Sequence, residues 1–208
     1  MLKYFRILLF LIFVIVYNQA NASHIVGGEV YYDSLGNNQY KVTFRIYRDC
    51  WGLNADYDNP LGYTVFNADG TVYSTYTVAL TVRDTLPLVI YNPCITPPND
   101  VCVESGIYID TITLPFNLDG YHITYQRCCW SSAIDNIASP STNGATITTF
   151  VTGSSLTNSY NNSARFSSLP PILLCANVPL TFDYSATDED GDSLVYQLID
   201  PLESGAGN

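Results

Sequence analysis

The chain is 208 residues long, 47% hydrophobic, 13% aromatic and 13% charged, with 19 acidic against 8 basic side chains and a net charge of −11. That balance argues against nucleic-acid binding, which needs a basic footprint to displace phosphate counterions. Charged content is about half the usual quarter while tyrosine supplies 17 residues, a composition of sheet proteins rather than of helical or disordered acidic chains.

The first 22 residues read as a secretory signal peptide. Lys3 and Arg6 form a positive start, Ile7 to Val16 is an unbroken apolar run, and Ala20-Asn21-Ala22 supplies a small-x-small cleavage site. The apolar run is well short of the roughly 20 residues that span a bilayer, so the mature chain is expected to be exported and not membrane-spanning. Losing Lys3 and Arg6 leaves 6 basic residues against 19 acidic and a net charge of −13.

Alternation with period 2 then recurs along the chain and marks half-buried strands. Tyr40, Val42, Phe44 and Ile46 form one such set, and Tyr76, Val78, Leu80 and Val82 a second. Tyr121, Ile123 and Tyr125 form a third, and Leu180, Phe182, Tyr184 and Ala186 a fourth. Weaker strand candidates lie at 28–33, 63–66, 71–74, 107–114, 145–151 and 193–199. Gly36-Asn37-Asn38 and Asp69-Gly70 supply hairpin turn chemistry between neighbouring candidates. No segment carries a sustained helical stripe. The pattern predicts an all-β, antiparallel, Ig-like β-sandwich.

A boundary falls near residue 160, where a stretch rich in Ser, Thr, Asn and Gly (138–162) precedes Leu169-Pro170-Pro171. Two strands beyond it cannot bury a core alone. The expected organisation is a signal peptide (1–22), a disulfide-stapled sandwich (23–160) and the start of a second, incomplete Ig/cadherin-like sandwich (161–208).

Six cysteines in an exported chain predict disulfides. Cys94 and Cys102 flank a short Pro97-Pro98 loop, and closing it stabilises by roughly 2.6 kcal/mol on the chain-entropy model. Cys128 and Cys129 are adjacent, a geometry that strains a mutual bond, so each is expected to reach elsewhere. Strand parity puts Cys129 and Cys50 on core faces, which favours Cys50–Cys129 with Cys128–Cys175. A zinc or redox site is a poor fit, because there is no Cys-x-x-Cys and His24 and His122 lack ligand spacing.

Three strings imitate catalytic motifs. Ile25-Val26-Gly27-Gly28 and Gly191-Asp192-Ser193 resemble segments of trypsin-like proteases, and Gly191-Asp192-Ser193-Leu194 spells the label of a lipase family. His24 precedes Ile25 where a protease is cut after Lys or Arg, and no histidine follows Ser193 to act as its base. No enzymatic activity is expected.

Asp188-Glu189-Asp190-Gly191-Asp192 is the acidic hot point. Carboxylates at alternate positions around a glycine turn can converge hard oxygens on one Ca²⁺, with Asp188, Asp190 and Asp192 as candidate ligands and Glu189 pointing away. Asp183 is a further candidate to complete the shell. The plain reading is a solvated acidic turn.

The strings ASHIVGGEVYYD (22–33), YKVTFRIYRDC (40–50), NPC (92–94), PPNDVCVE (97–104), YQRCCW (125–130), NNSARF (161–166) and LPPILLCANVPLTFDYSATDEDGDSLVYQL (169–198) are together distinctive. They resemble the N-terminal region of large secreted surface proteins of Bacteroidota, the gliding-motility-associated and type IX secretion proteins that often carry PKD or other Ig-like repeats. ATDEDGDSLVYQL also resembles the calcium-associated turn of bacterial cadherin-like repeats. This chain departs from that pattern at Ser34 and Tyr160, where relatives often have cysteines, and at Trp130, where a basic residue is common. The resemblance implies location and architecture more than activity.

The leading expectation is therefore a non-enzymatic, secreted or cell-surface module for adhesion, surface assembly or extracellular scaffolding. Its partners would be other surface proteins or extracellular polymers. The alternative is an extracellular carbohydrate-binding module that stacks sugars on Trp51, Trp130, Tyr57 or Tyr63.

Overall fold

The computed structural model describes residues 25–51, 56–88, 96, 98–130, 134–157, 160–200 and 202–204. The signal-peptide reading, His24 and Cys94 lie outside them. The described chain is an antiparallel β-sandwich. One sheet is ordered β1 (Ile25–Gly36), β2 (Gln39–Asp49), β6 (Val103–Thr113), β5 (Leu80–Thr85). The facing sheet is ordered β8 (Gly144–Val151), β7 (Tyr121–Cys128), β3 (Leu61–Asn67), β4 (Val72–Val78). A two-residue strand β11 (Glu203–Ser204) adds to the free edge of β8. The remaining pair is β9 (Arg165–Phe166) with β10 (Ala186–Thr187).

Alternation explains why these segments pair as they do. Along β2, Tyr40, Val42, Phe44 and Ile46 are all buried; along β7, so are Tyr121, Ile123 and Tyr125. Phe44 meets Tyr63 and Tyr125 of the opposite sheet at ring-centroid distances of 4.7 and 6.5 Å. The tight β1–β2 hairpin turns through Asn37 and Asn38, both at positive φ, which is the twist that two-residue hairpins need. At Asp69-Gly70 the carboxylate of Asp69 accepts from the Thr71 amide at 2.9 Å, and Gly70 takes the left-handed conformation.

Tyrosine abundance has a structural cause. The rings fill the core, and their hydroxyls reach acceptors at its margin: Tyr108 donates to the Asp58 carbonyl (2.8 Å), Tyr125 to Asp58 Oδ2 (3.0 Å) and Tyr40 to the Ser155 carbonyl (3.0 Å). A buried tyrosine thus contributes apolar area without leaving its hydroxyl unpaired.

The structure corrects several strand expectations. Residues 75–82 are not one strand: the chain leaves the second sheet at Ala79 and enters the first as β5, so that Val82 ends up exposed. Segments 180–186 and 193–199 alternate in sequence, but only Ala186 joins a ladder, with Phe166. Leu180, Tyr184, Val195 and Leu198 are exposed, because among the described residues no neighbouring strand lies beside them to supply hydrogen bonds or cover.

The disulfide pairings also differ. Register with β6 places Asp49 opposite Val103, so the next residues, Cys50 and Cys102, face each other at 5.1 Å between Cα atoms and bond. Cys128 bonds Cys129 across a cis peptide. The expected Cys94–Cys102, Cys50–Cys129 and Cys128–Cys175 pairs are therefore replaced; cross-strand register selects Cys102 for Cys50, which parity alone could not do.

Candidate functional site

Beyond the sandwich, the chain runs as an arm that ties itself to the edge of β1 and then crosses the outer face of the first sheet. Ser163 donates its amide to the Tyr32 carbonyl (3.0 Å), its hydroxyl accepts from the Tyr32 amide (2.8 Å), and Asn162 Oδ1 accepts from the Ser34 amide (2.8 Å). An otherwise open edge strand is thereby paired. Arg165 then lies over the Tyr31 ring, 4.7 Å from its centroid, and ion-pairs with Asp33 and Glu189.

Past this anchor, arm and sheet enclose a groove of about 660 Å³. Its floor is the outer face at the start of β1 and the end of β2, including Gly27 and Tyr47, with Val103 of β6 beside them. Its opposite wall is apolar, built by Phe166, Leu169, Pro171, Leu173 and Tyr184. Gly27 leaves the floor without a side chain at that point, and Pro170-Pro171 stiffens the facing backbone. Three carboxylates, Glu29, Asp49 and Asp100, line it, and no cation does among the described lining residues. Glu29 also takes hydrogen bonds from Arg45 Nη1 and the Tyr47 hydroxyl, each at 3.2 Å. Burial, together with the Glu29 charge, pushes the Tyr47 hydroxyl up to about 12, so it remains a neutral donor.

One end of the sheet is braced by an ion network. Arg48 Nε and Arg83 Nε both donate to Glu104 Oε2, at 3.0 and 2.9 Å, and Arg83 Nη1 reaches Asp56 at 3.0 Å. The Tyr57 ring sits beneath both guanidinium groups, 5.0 and 5.7 Å from its centroid. Burial works against ionising Glu104, yet the hydrogen bonds from Arg83 and Arg48 outweigh it and hold its carboxyl below the usual range. The space between Arg48, Asp56 and Tyr57 of this network and the neighbouring Ile25, Tyr125 and Arg127 is only about 10 Å³, too little for a ligand.

The acidic turn at 188–192 is held by the chain itself. Asp188 Oδ1 accepts the amides of Asp190 (2.9 Å) and Asp192 (3.1 Å). Asp190 accepts from the Asn162 amide (2.6 Å) and from Asn162 Nδ2 (3.1 Å), while Glu189 turns to Arg165. The carboxylates are thus directed at different partners. Among the described residues no three such groups gather into a cluster that could hold a metal ion. Asp183 accepts from the Ser185 amide (2.9 Å).

The four aromatic residues suggested for sugar stacking are not brought together. Tyr63 is buried and stacks on Tyr76; Tyr57 is half-buried under the two arginines; Trp130 bridges to Ile25; only Trp51 is well exposed. His122 packs on Phe150 at 4.6 Å, and Ser193 is exposed on the arm.

The signals that sequence reading missed are the walls of the groove. Leu169-Pro170-Pro171 reads as punctuation, and only the fold places it over the sheet. The chain matches no known family model, no curated protein and no solved structure.

Proposed function

We propose that the chain is a non-enzymatic β-sandwich module of a secreted or cell-surface protein, serving adhesion, surface assembly or extracellular scaffolding through the groove between arm and sheet. The single observation that carries this reading is the groove itself. It is large, mostly apolar and rimmed by carboxylates, which suits an extended partner segment that combines apolar side chains with Lys or Arg. The exposed Leu180, Val195 and Leu198 support reading residues 161–208 as the opening of a second Ig/cadherin-like domain.

The test has two readouts on the full-length chain expressed in its native host. N-terminal sequencing of the mature protein should find cleavage after Ala22, and antibody labelling of intact cells should detect the chain outside. Leu169→Asp places a charge on the apolar wall and should abolish retention at the surface while leaving the melting midpoint unchanged. An uncleaved chain inside the cell would overturn the location; undiminished retention of the variant would overturn the groove.

A further inference from the structure

A second cavity, on the far side of the β1–β2 hairpin from the groove, has the opposite chemistry. It encloses about 280 Å³ between the hairpin turn and the residues that follow β8. Ser34, Asn37, Asn38, Tyr40, Ser155 and Tyr160 line it, and every one is polar and uncharged. The Tyr40 hydroxyl is spent on the Ser155 carbonyl (3.0 Å), and the Ser155 hydroxyl is shared with Thr152 (2.6 Å), so the floor is rigid and satisfied. The rim is not. The side-chain amides of Asn37 and Asn38 and the hydroxyls of Ser34 and Tyr160 make no side-chain hydrogen bond to another described residue and are reached by solvent, so they are open to a ligand. Tyr160 is 71% exposed. One edge of its ring leans on Gly36, where a methyl group would lie 3.2 Å from Cε1, and the rest faces solvent.

Planar amides, hydroxyls and a single open aromatic face, with no charge among them, are the groups that recognise an uncharged polyol ring. Amides pair with vicinal hydroxyls as both donor and acceptor, and the ring's C–H face packs on an aromatic side chain. The volume lies just below the ~300–1,000 Å³ of sites for drug-sized ligands, which fits one ring and not a long chain buried along its length. We infer that this cavity is a binding site for a neutral hexose or N-acetylhexosamine unit, with Tyr160 as the stacking platform and Asn37 and Asn38 as the hydroxyl-reading amides. The site goes beyond the groove reading and does not depend on it. A terminal sugar of an extracellular polymer could enter because the rim is open to solvent on the Tyr160 side.

The experiment is nuclear magnetic resonance titration of the ¹⁵N-labelled mature chain with methyl glycosides of glucose, galactose, mannose and N-acetylglucosamine, and with glucuronate as a charged control. At least one neutral glycoside should shift the side-chain amide signals of Asn37 and Asn38. Tyr160→Ala should weaken that binding by about tenfold or more, whereas Tyr160→Phe, which keeps the ring, should retain most of it. Asn38→Asp keeps a residue tolerant of positive φ while replacing the donor, and it should weaken binding with little change in melting midpoint. No shift with any neutral glycoside, or shifts that Tyr160→Ala leaves intact, would overturn the assignment. Because surface retention is read separately with the Leu169→Asp variant, failure here and failure of the groove are distinguishable.

Discussion

The hydroxyl of Tyr63, on β3, donates to Asp110 Oδ2, on β6, at 2.7 Å, joining the two sheets by a polar bond at the margin of an otherwise apolar core. Burial and then the Asp110 carboxylate hold the Tyr63 hydroxyl well above its ordinary range. Tyr40 and Tyr47 are pushed up to about 12, in both cases chiefly by burial. Unfolded tyrosine ionises near about 10, so these groups stabilise the fold fully below that pH and lose their contribution as pH rises through the folded values. Tyrosinate absorbance should lag in the folded protein and rise abruptly on alkaline unfolding. Tyr63→Phe should cost about 1–2 kcal/mol at neutral pH, measured by denaturant titration.

Glu104 supplies the acid limb. Its carboxyl is held below the ordinary value, so its contribution is present above the unfolded pKa and is lost as pH falls through the folded one. With only 13% of its side chain exposed and two arginines directed at it, Glu104→Gln should cost about 1–3 kcal/mol at pH 7. The difference from the parent should shrink as pH drops below about 4. Thermal melts across that range decide it; a gap that does not change with pH would show that the loss is packing rather than charge.

Gly106 is required by Tyr57. A methyl group at Gly106 would lie 2.7 Å from Tyr57 Cε1, and that ring cannot move away freely because Arg48 and Arg83 cover it and its hydroxyl donates to the Ile46 carbonyl. Gly106→Ala should therefore destabilise by about 1–3 kcal/mol through overpacking. Equilibrium unfolding that matches the parent would show that Tyr57 has another place to go.

Peptide mapping of the oxidised protein without reductant should recover Cys50 linked to Cys102 and Cys128 linked to Cys129. The remaining cysteines of an oxidised chain are Cys94 and Cys175, and their peptides should be found joined. Cys50→Ala with Cys102→Ala opens a loop of 52 residues' separation and should lower stability by up to about 4 kcal/mol on the chain-entropy model.

The acidic turn carries the calcium test. Asp188 and Asp190 accept four hydrogen bonds from the chain, and each carboxylate keeps further lone pairs for a cation. If Asp188, Asp190 and Asp192 hold calcium, the melting midpoint should be higher with the ion than in chelator; equal midpoints would show a turn held by its own hydrogen bonds alone.

The β-sandwich was legible because alternation in 40–46 and 121–125 is a local property: a strand with one dry face must place apolar residues at every second position. The hairpin turns were legible for the same reason, since Asn37-Asn38 and Asp69-Gly70 satisfy their own backbone geometry. Alternation in 180–186 misled, because a strand exists only where a neighbour completes its hydrogen bonds, and that neighbour is a tertiary fact.

The candidate sites were less legible. Sequence reading singled out Trp51, Trp130, Tyr57 and Tyr63 by type, yet the fold put Tyr63 inside the core and left Tyr160, which was not among them, exposed. The disulfides followed the same division: the number of cysteines is a matter of composition, while Cys50 meets Cys102 only because β2 and β6 lie side by side in one register. By itself the sequence determined that this is an all-β, tyrosine-rich, cysteine-bearing chain, because pattern and composition act over a few residues. Which surfaces meet, the groove under residues 166–173 and the neutral cavity beside Tyr160, was decided by tertiary structure alone. Both are made of segments more than a hundred residues apart, brought together by edge pairing at β1.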